Sequence, residues 1–369
     1  MVLLFELIQL ALGNRKELSK VPSDKEWNAV FEEAGKQAVA GICIAGVDRL
    51  MDHGTRFLVN IPLDLKLEWI GLSEQIRQQN AHVDKQTAKI WRQLKEDGLD
   101  AAILKGQGIA SLYGDLGVYR QSGDIDIWVK GGYQTVCDYV QQTHPTEDVA
   151  YHRFHYDYFE DTEVELHHRP TLMRNLMDDR QLARWYNSFG VDSFEYLEDK
   201  GFAIPPVEFN RIFILTHIYR HFLFEGIGLR QVMDYYFVLK HNHEKFQVSS
   251  FKFQENKLLK ELRLMRFAEA MMWILHTQLG LEEQYLICGM NEKEGRFVLS
   301  EIEQTGNFGY GDKRFEGMSK LRRMTKHGIH LLLHYSSEVM WTPIWLIYHK
   351  VWRWNKVREI RISSCQKRQ

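Results

Sequence analysis

Apolar residues recur every three or four positions through the first part of the chain, which is the spacing of one helix face. The longest such pattern extends from about Leu63 to Lys95. A Ser23-Asp24 pair can cap a second helix that ends near Gln37. A third helix is expected over about 39–52. The pattern therefore predicts an N-terminal helical region over residues 1–97.

The pattern changes at Gly98, where short apolar runs and strict alternation replace the helical spacing. Strands are expected at 99–105 and 123–129, and two more at 150–159 and 162–167, with a helix over about 133–142. This order of helices and strands predicts an α+β fold, with a mixed-sheet core over residues 98–200.

Helical patterns return at Pro205-Pro206 and continue to the end of the chain. Helices are expected over 208–221, 229–239 and 257–279, and they define a C-terminal helical domain over residues 201–310. Residues 311–369 are predicted to form a separate helical arm that is basic and rich in tryptophan.

Composition narrows the class of protein. The 369 residues are 44% hydrophobic and 26% charged, which is typical of a globular chain and not of a disordered one. The four cysteines are scattered without a C-x-x-C pair, which argues against zinc ribbons and disulfide scaffolds and suits a reducing, cytoplasmic location. The apolar N-terminus has no basic leader or cleavage site, so it is expected to be a helix of the fold. No apolar stretch is long enough to cross a bilayer.

Charge is divided unevenly along the chain. Residues 311–369 carry 13 Lys and Arg against 4 Asp and Glu, whereas the rest of the chain carries 34 against 45. This asymmetry is compatible with two interpretations of equal weight, and the first is that the arm contacts RNA or an anionic surface. The alternative is that the arm docks on the acidic body of its own chain.

Two aspartates alternate with isoleucines at Asp124-Ile125-Asp126-Ile127. In a strand, both carboxylates then lie on one face, where they repel each other unless a positive charge lies between them. A divalent cation, Mg²⁺ or Mn²⁺, is the usual solution, so both aspartates are candidate metal ligands. The alternative is a half-exposed strand with an acidic outer face.

A phosphate site is expected where the first strand ends in Lys105-Gly106-Gln107. Glycine lets an oxyanion approach the backbone, a helix N-terminus supplies free N–H groups, and the lysine adds a full charge. Downstream, Arg120 can bind a phosphate or hold a catalytic carboxylate. The alternatives are a plain strand-to-helix turn and a surface arginine.

Glu165, between two apolar residues, is the candidate third carboxylate, and Glu163 is its rival. Three acids can hold a pair of metal ions, and the third can take a proton from an attacking hydroxyl. His167 lies two positions further on the same face, so it can contact the metal or a phosphate. A zinc site built from neighbouring histidines is disfavoured, because His152 and His155 face opposite sides of a strand.

The run LKGQGIASLYGDLGVYRQSGDIDIWV, which ends at Val129, resembles the signature of the uncharacterised nucleotidyltransferase family within the polymerase-beta-like superfamily. Later, Val164–His167 resembles that family's third motif, and 212–239 resembles its C-terminal half. One departure from the wider superfamily is that Gly106 is followed by Gln107 and lies far before the first aspartate. The positions that match the signature in place are Tyr113, Arg120, Gly123, Asp124 and Asp126.

The resemblance implies a nucleotidyltransferase-type sheet flanked by helices, and metal-dependent transfer from an NTP, ATP by preference, to an acceptor hydroxyl. The acceptor is a small molecule, a protein or RNA. The implied catalytic residues and ligands of Mg²⁺ or Mn²⁺ are Asp124, Asp126 and Glu165. The implied nucleotide-binding residues are Lys105, Gly106, Gln107, Arg120, Gly123 and His167. The alternative is a non-catalytic protein of the same fold that senses nucleotides or binds a partner, as an antitoxin does.

Overall fold

The computed structural model describes residues 1–52, 60–241, 249–310, 312–315 and 317–366. These residues contain fourteen α-helices, several 3-10 helices and six short strands. The helices are α1 Val2–Leu12, α2 Asp24–Lys36, α3 Ala40–Asp52, α4 Leu63–Glu96, α5 Gln107–Ala110, α6 Gly132–Thr143, α7 Leu176–Asn187, α8 Val207–Phe224, α9 Leu229–Lys240, α10 Ser249–Glu261, α11 Met265–Leu279, α12 Glu292–Thr305, α13 Lys320–Leu332 and α14 Ser336–Gln366. The strands are β1 Ala101–Ile103, β2 Ile125–Val129, β3 Arg153–His155, β4 Val164–His167, β5 Glu195–Leu197 and β6 Phe202–Ile204.

Four strands form a mixed sheet in the order β1-β2-β4-β3. β2 and β4 are parallel, whereas β1 and β3 are antiparallel to their neighbours. All five residues of β2 are buried, as expected of a central strand that is covered on both faces. β5 and β6 form a separate antiparallel pair. The predicted α+β class with a mixed sheet is therefore confirmed.

The described residues form two compact units, each built from separate stretches of the chain. The first contains Met1–His82, Ala110–Ser122 and His221–Arg323, and it is helical. The second contains Val83–Ile109, Gly123–Arg220 and Met324–Gln369, and it holds both sheets. The division into 1–97, 98–200, 201–310 and 311–369 stays a prediction. Residues 311, 316 and 367–369 of the last region lie outside the described part of the chain.

Local signals located most elements correctly. Ser23 caps α2 through a reciprocal pair of hydrogen bonds with Glu26, as its position predicted. The single helix expected over 257–279 is wrong: α10 and α11 are separate, and Arg263 between them has a left-handed backbone (φ 56°) that a continuous helix does not allow. The strand expected over 150–159 is only the three residues of β3.

Between residues 168 and 204 the sequence patterns predicted no element, but the structure contains α7, β5 and β6 there. Among the described residues, no helix combines the length and apolar character that crossing a membrane requires.

Candidate active site

The parallel pairing of β2 and β4 brings two acids together. Asp126 and Glu165 are register partners, so their side chains leave the sheet on the same face. Asp124 lies just before β2, whose first amide, that of Ile125, donates to the Glu163 carbonyl at 2.9 Å. The side chain of Glu163 is exposed, whereas Glu165 is buried, so the geometry favours Glu165 over its rival.

A lysine lies between Asp124 and Asp126. Lys105 Nζ is 3.0 Å from Asp126 Oδ2 and 3.5 Å from Asp124 Oδ2. Burial alone would lower the pKa of Lys105, but the carboxylates of Asp124, Asp126 and Glu165 outweigh burial and raise it. The positive charge that the acidic pair requires is therefore present in the protein itself.

The turn that presents this lysine depends on glycine. Gly106 has a left-handed backbone (φ 56°), and a Cβ at this position would lie 3.2 Å from the Asp124 carbonyl oxygen. The amide of Leu104 donates to the Asp126 carbonyl at 2.9 Å. The turn thus packs directly against the residue that precedes β2, and a side chain at position 106 would strain the backbone and press on the Asp124 carbonyl.

Glu165 is held on both oxygens. Arg153 Nη1 lies 2.6 Å from Oε1, and His167 Nε2 lies 3.2 Å from Oε2. Burial alone would raise the pKa of Glu165, but the His167 hydrogen bond and the positive charges of Lys105 and Arg153 lower it to about 2. Glu165 therefore remains ionised.

His167 joins the two strands, because its Nε2 is also 2.8 Å from Asp126 Oδ1. Burial alone would lower the pKa of His167, whereas the hydrogen bonds and charges of Asp126 and Glu165 raise it.

The residues present fit a divalent metal ion. Asp126, Glu165 and His167 are all buried, and each offers a ligand atom that lies within 4.8 Å of the other two. Asp126 Oδ2 is buried, and the Lys105 ammonium lies 3.0 Å from it without good hydrogen-bond geometry. Two carboxylates with one imidazole are suitable ligands for a first-row divalent ion, and the carboxylates alone suit Mg²⁺. Asp124 is not in this group, and its side chain is 35% exposed.

Two more residues lie behind this cluster: sequence reasoning missed Arg153 and considered His152 only for a disfavoured zinc site. Arg153, on β3, forms the ion pair with Glu165. His152 lies with its ring 5.3 Å from that of His167, and Arg220 donates to its Nε2 at 3.1 Å. Burial and nearby cations hold the pKa of His152 well below its ordinary value, so it stays neutral. Antiparallel pairing of the strands around 153 and 167 would place these two residues opposite each other. Because residues two apart along a strand share a face, this pairing could have indicated that Arg153 lies near Glu165.

The group of clustered ligand residues does not include three of the predicted nucleotide-binding residues, Gln107, Gly123 and Arg120. The side-chain amide of Gln107 donates to Asp84, which also pairs with Lys200 at 3.0 Å. Gly123 is exposed and lies two residues before β2. Arg120 belongs to the first compact unit.

Arg120 is committed to a buried ion pair. Its Nε and Nη2 donate to the two carboxylate oxygens of Asp234 at 2.6 and 2.8 Å. Tyr113 donates to the same carboxylate at 2.7 Å. Arg230, the neighbour of Asp234 on its own helix, donates to the Gln121 carbonyl at 2.9 Å. The contacts of Arg120 are thus those of a structural side chain.

Comparison with known proteins gives one match. The family described as uncharacterised nucleotidyltransferase matches residues 23–280, which is more than half of the chain and extends beyond the motif-bearing segment on both sides. Neither a curated protein nor a solved structure matches the chain.

Proposed function

We propose that this chain, which belongs to the uncharacterised nucleotidyltransferase family, transfers a nucleotidyl group from a nucleoside triphosphate, ATP by preference, to an acceptor hydroxyl. The observation that carries the proposal is the buried group of Asp126, Glu165 and His167, with Lys105 beside it. A D-x-D strand paired in parallel with a strand that bears a third acid also supports a core of the polymerase-beta-like type.

Asp126, Glu165 and His167 would hold the metal ion, Mg²⁺ or Mn²⁺. Bound there, such an ion would supply positive charge for the triphosphate oxygens and for the charge that develops on them. A second ion between Asp124 and Asp126 would have to displace Lys105, whose ammonium already lies there. We therefore favour one metal ion plus Lys105 over the pair of ions that the sequence suggests.

The reaction requires a base for the proton of the acceptor hydroxyl, and we assign this role to Asp124. The acceptor oxygen bonds to the α-phosphorus, the bond from that phosphorus to the bridging oxygen breaks, and pyrophosphate leaves. The hydroxyl proton needs an accessible base. Glu165, with a pKa of about 2 and both oxygens engaged, is a poor acceptor. Asp124, one-third exposed and paired only loosely with Lys105, is the better candidate.

The decisive experiment is pyrophosphate release from each NTP, with Mg²⁺ or Mn²⁺ and candidate small-molecule, protein and RNA acceptors. Asp126→Asn should reduce metal-dependent nucleotide binding by at least about 100-fold, because it replaces a buried ligand. Asp199→Asn, an exposed acid of the same unit, is the matched control and should bind as the unmodified protein does. Equal binding by Asp126→Asn, with the fold intact by circular dichroism, would reject the site.

A second candidate is a non-catalytic protein that senses nucleotides. The observation that favours it is that Lys105, Arg153 and His167 already neutralise the three carboxylates. The same assay separates the two functions. Metal-dependent NTP binding without pyrophosphate release from any NTP, with any acceptor class, would favour the sensor.

A further inference from the structure

The C-terminal helix α14 packs its inner face against the rest of the second compact unit, to which it belongs. Trp345 and Trp352 pack edge-on against Tyr151, at ring distances of 6.4 and 5.3 Å. The buried carboxylate of Glu338 accepts from the amide of Arg174 at 2.7 Å. These contacts hold the helix in one orientation, so the face that points outward is defined.

That outer face carries a continuous apolar stripe. Met340, Ile344, Ile347, Val351 and Trp354 are each more than half exposed. Their spacing alternates between four and three residues, which places all five on one side of a helix over a length of about 20 Å. A contiguous exposed apolar surface of this kind marks a docking site rather than ordinary solvent-facing surface.

The stripe is bordered by positive charge. From Met340 to Ile362 the helix carries five Lys and Arg against one Glu. Arg358 continues the line of the stripe, with its guanidinium 5.7 Å from the Trp354 ring, and Lys350 lies beside the stripe. A partner of this face therefore has to match both an apolar strip and an excess of cations.

We infer that the outer face of α14 docks onto an anionic lipid bilayer. An amphipathic helix with aromatic and aliphatic residues on one side and Lys or Arg at its border can lie in the plane of the interface. The apolar stripe would enter the acyl boundary, and lipid phosphates would contact Lys350 and Arg358. A second copy of the helix is the poorer fit, because pairing would bring two cation-rich surfaces together.

Vesicle flotation tests the inference with the full-length protein. Vesicles that contain phosphatidylglycerol should bind the protein, and pure phosphatidylcholine vesicles should bind it at least 10-fold less. The double variant Ile344→Ser with Ile347→Ser should lose at least 10-fold in binding to the anionic vesicles. Because both residues are exposed, the fold should survive. The matched control is Leu67→Ser with Ile70→Ser, two exposed apolar residues of α4, which should bind as the unmodified protein does.

The role of the two cations is tested separately. The double variant Lys350→Gln with Arg358→Gln should bind anionic vesicles more weakly, and this binding should depend less on salt. Equal binding to both kinds of vesicle would overturn the inference, as would equal binding by the serine variant. Self-association that the serine variant abolishes, without vesicle binding, would assign the stripe to a second copy instead. Salt-sensitive RNA binding without vesicle binding would overturn the inference as well.

Discussion

Two networks of buried charge differ in how completely their polar atoms are paired. In the first compact unit, both oxygens of Asp234 accept from Arg120, and one of them also accepts from Tyr113. One carboxylate thus pairs with one guanidinium, which donates to both of its oxygens in a bidentate geometry. In the second unit, three carboxylates share Lys105, Arg153 and His167, and the Lys105 ammonium lies 3.0 Å from Asp126 Oδ2 without good hydrogen-bond geometry.

This difference separates a structural ion pair from the cluster that we propose as a ligand site. A buried carboxylate oxygen whose ion pair lacks good hydrogen-bond geometry costs stability, and a bound cation can offset that cost. Both carboxylate oxygens of Asp234 accept well-aligned hydrogen bonds, whereas the Asp126 network presents clustered carboxylate oxygens and an imidazole. The signature stretch of the sequence supplies residues to both networks, so membership of the motif alone does not make a residue catalytic.

The largest expected effect is a loss of stability when the ion pair of Asp234 and Arg120 is broken. Asp234→Ala should lower the free energy of unfolding by about 3–5 kcal/mol, because it leaves the buried Arg120 guanidinium without its carboxylate. Urea denaturation measures the change. Asp199→Ala, at an exposed acid, should stay within about 0.5 kcal/mol of the unmodified protein. If both variants unfold at the same urea concentration, the Asp234 network does not have the structural role that its full pairing indicates.

Glu338 extends the comparison to a buried acid that accepts from backbone amides. Burial raises the pKa of Glu338 to about 7, although hydrogen bonds from the Arg174 and Asn175 amides oppose the change. The folded protein therefore holds this proton more tightly than the unfolded chain does. Protonated Glu338 should therefore contribute fully to the free energy of unfolding below about pH 4.5. This contribution, on the order of 3 kcal/mol, should be lost between about pH 4.5 and 7.

Unfolding measured across this pH range checks the sign. Glu338→Ala should remove the dependence and leave a flatter profile at a lower stability. A profile for the variant that is parallel to that of the unmodified protein would assign the titration to another group.

The smallest expected effect concerns the cation between the two aspartates. Lys105→Met should destabilise the protein by about 2 kcal/mol, less than a fully buried pair would, because the lysine side chain is partly exposed. Adding Mn²⁺ should raise the melting temperature of this variant more than that of the unmodified protein, since the ion replaces the lost charge. Mn²⁺ should not restore Asp234→Ala. Equal Mn²⁺ effects on the lysine variant and the unmodified protein would mean that the ion and Lys105 do not share the acidic pair.

Much of the architecture was predictable because it depends on short-range patterns. The capping of α2 by Ser23 and the length of α4 follow from residues within one or two helix turns. Alternation in β2 predicted which face the acids occupy, and the lysine that reaches both acids confirms that they share it. The break at Arg263 was missed because an apolar helical pattern continues across a backbone that leaves the helical region.

The sequence by itself determined that Asp124 and Asp126 share a face, that a turn with Lys105 and Gly106 precedes them, and that Glu165 and His167 lie on one face of a later strand. These are consequences of strand periodicity and local backbone freedom, which act within a few residues.

Only the tertiary structure determined which charged side chains pair with each other. Strand order placed Glu165 beside Asp126, packing directed Lys105 to the aspartates and Arg120 to Asp234, and the pairing of β3 with β4 added Arg153. Partners more than a hundred residues apart, such as Arg120 and Asp234, are selected by the folded geometry and by the cost of burying an unpaired charge, neither of which has a local signature in the chain.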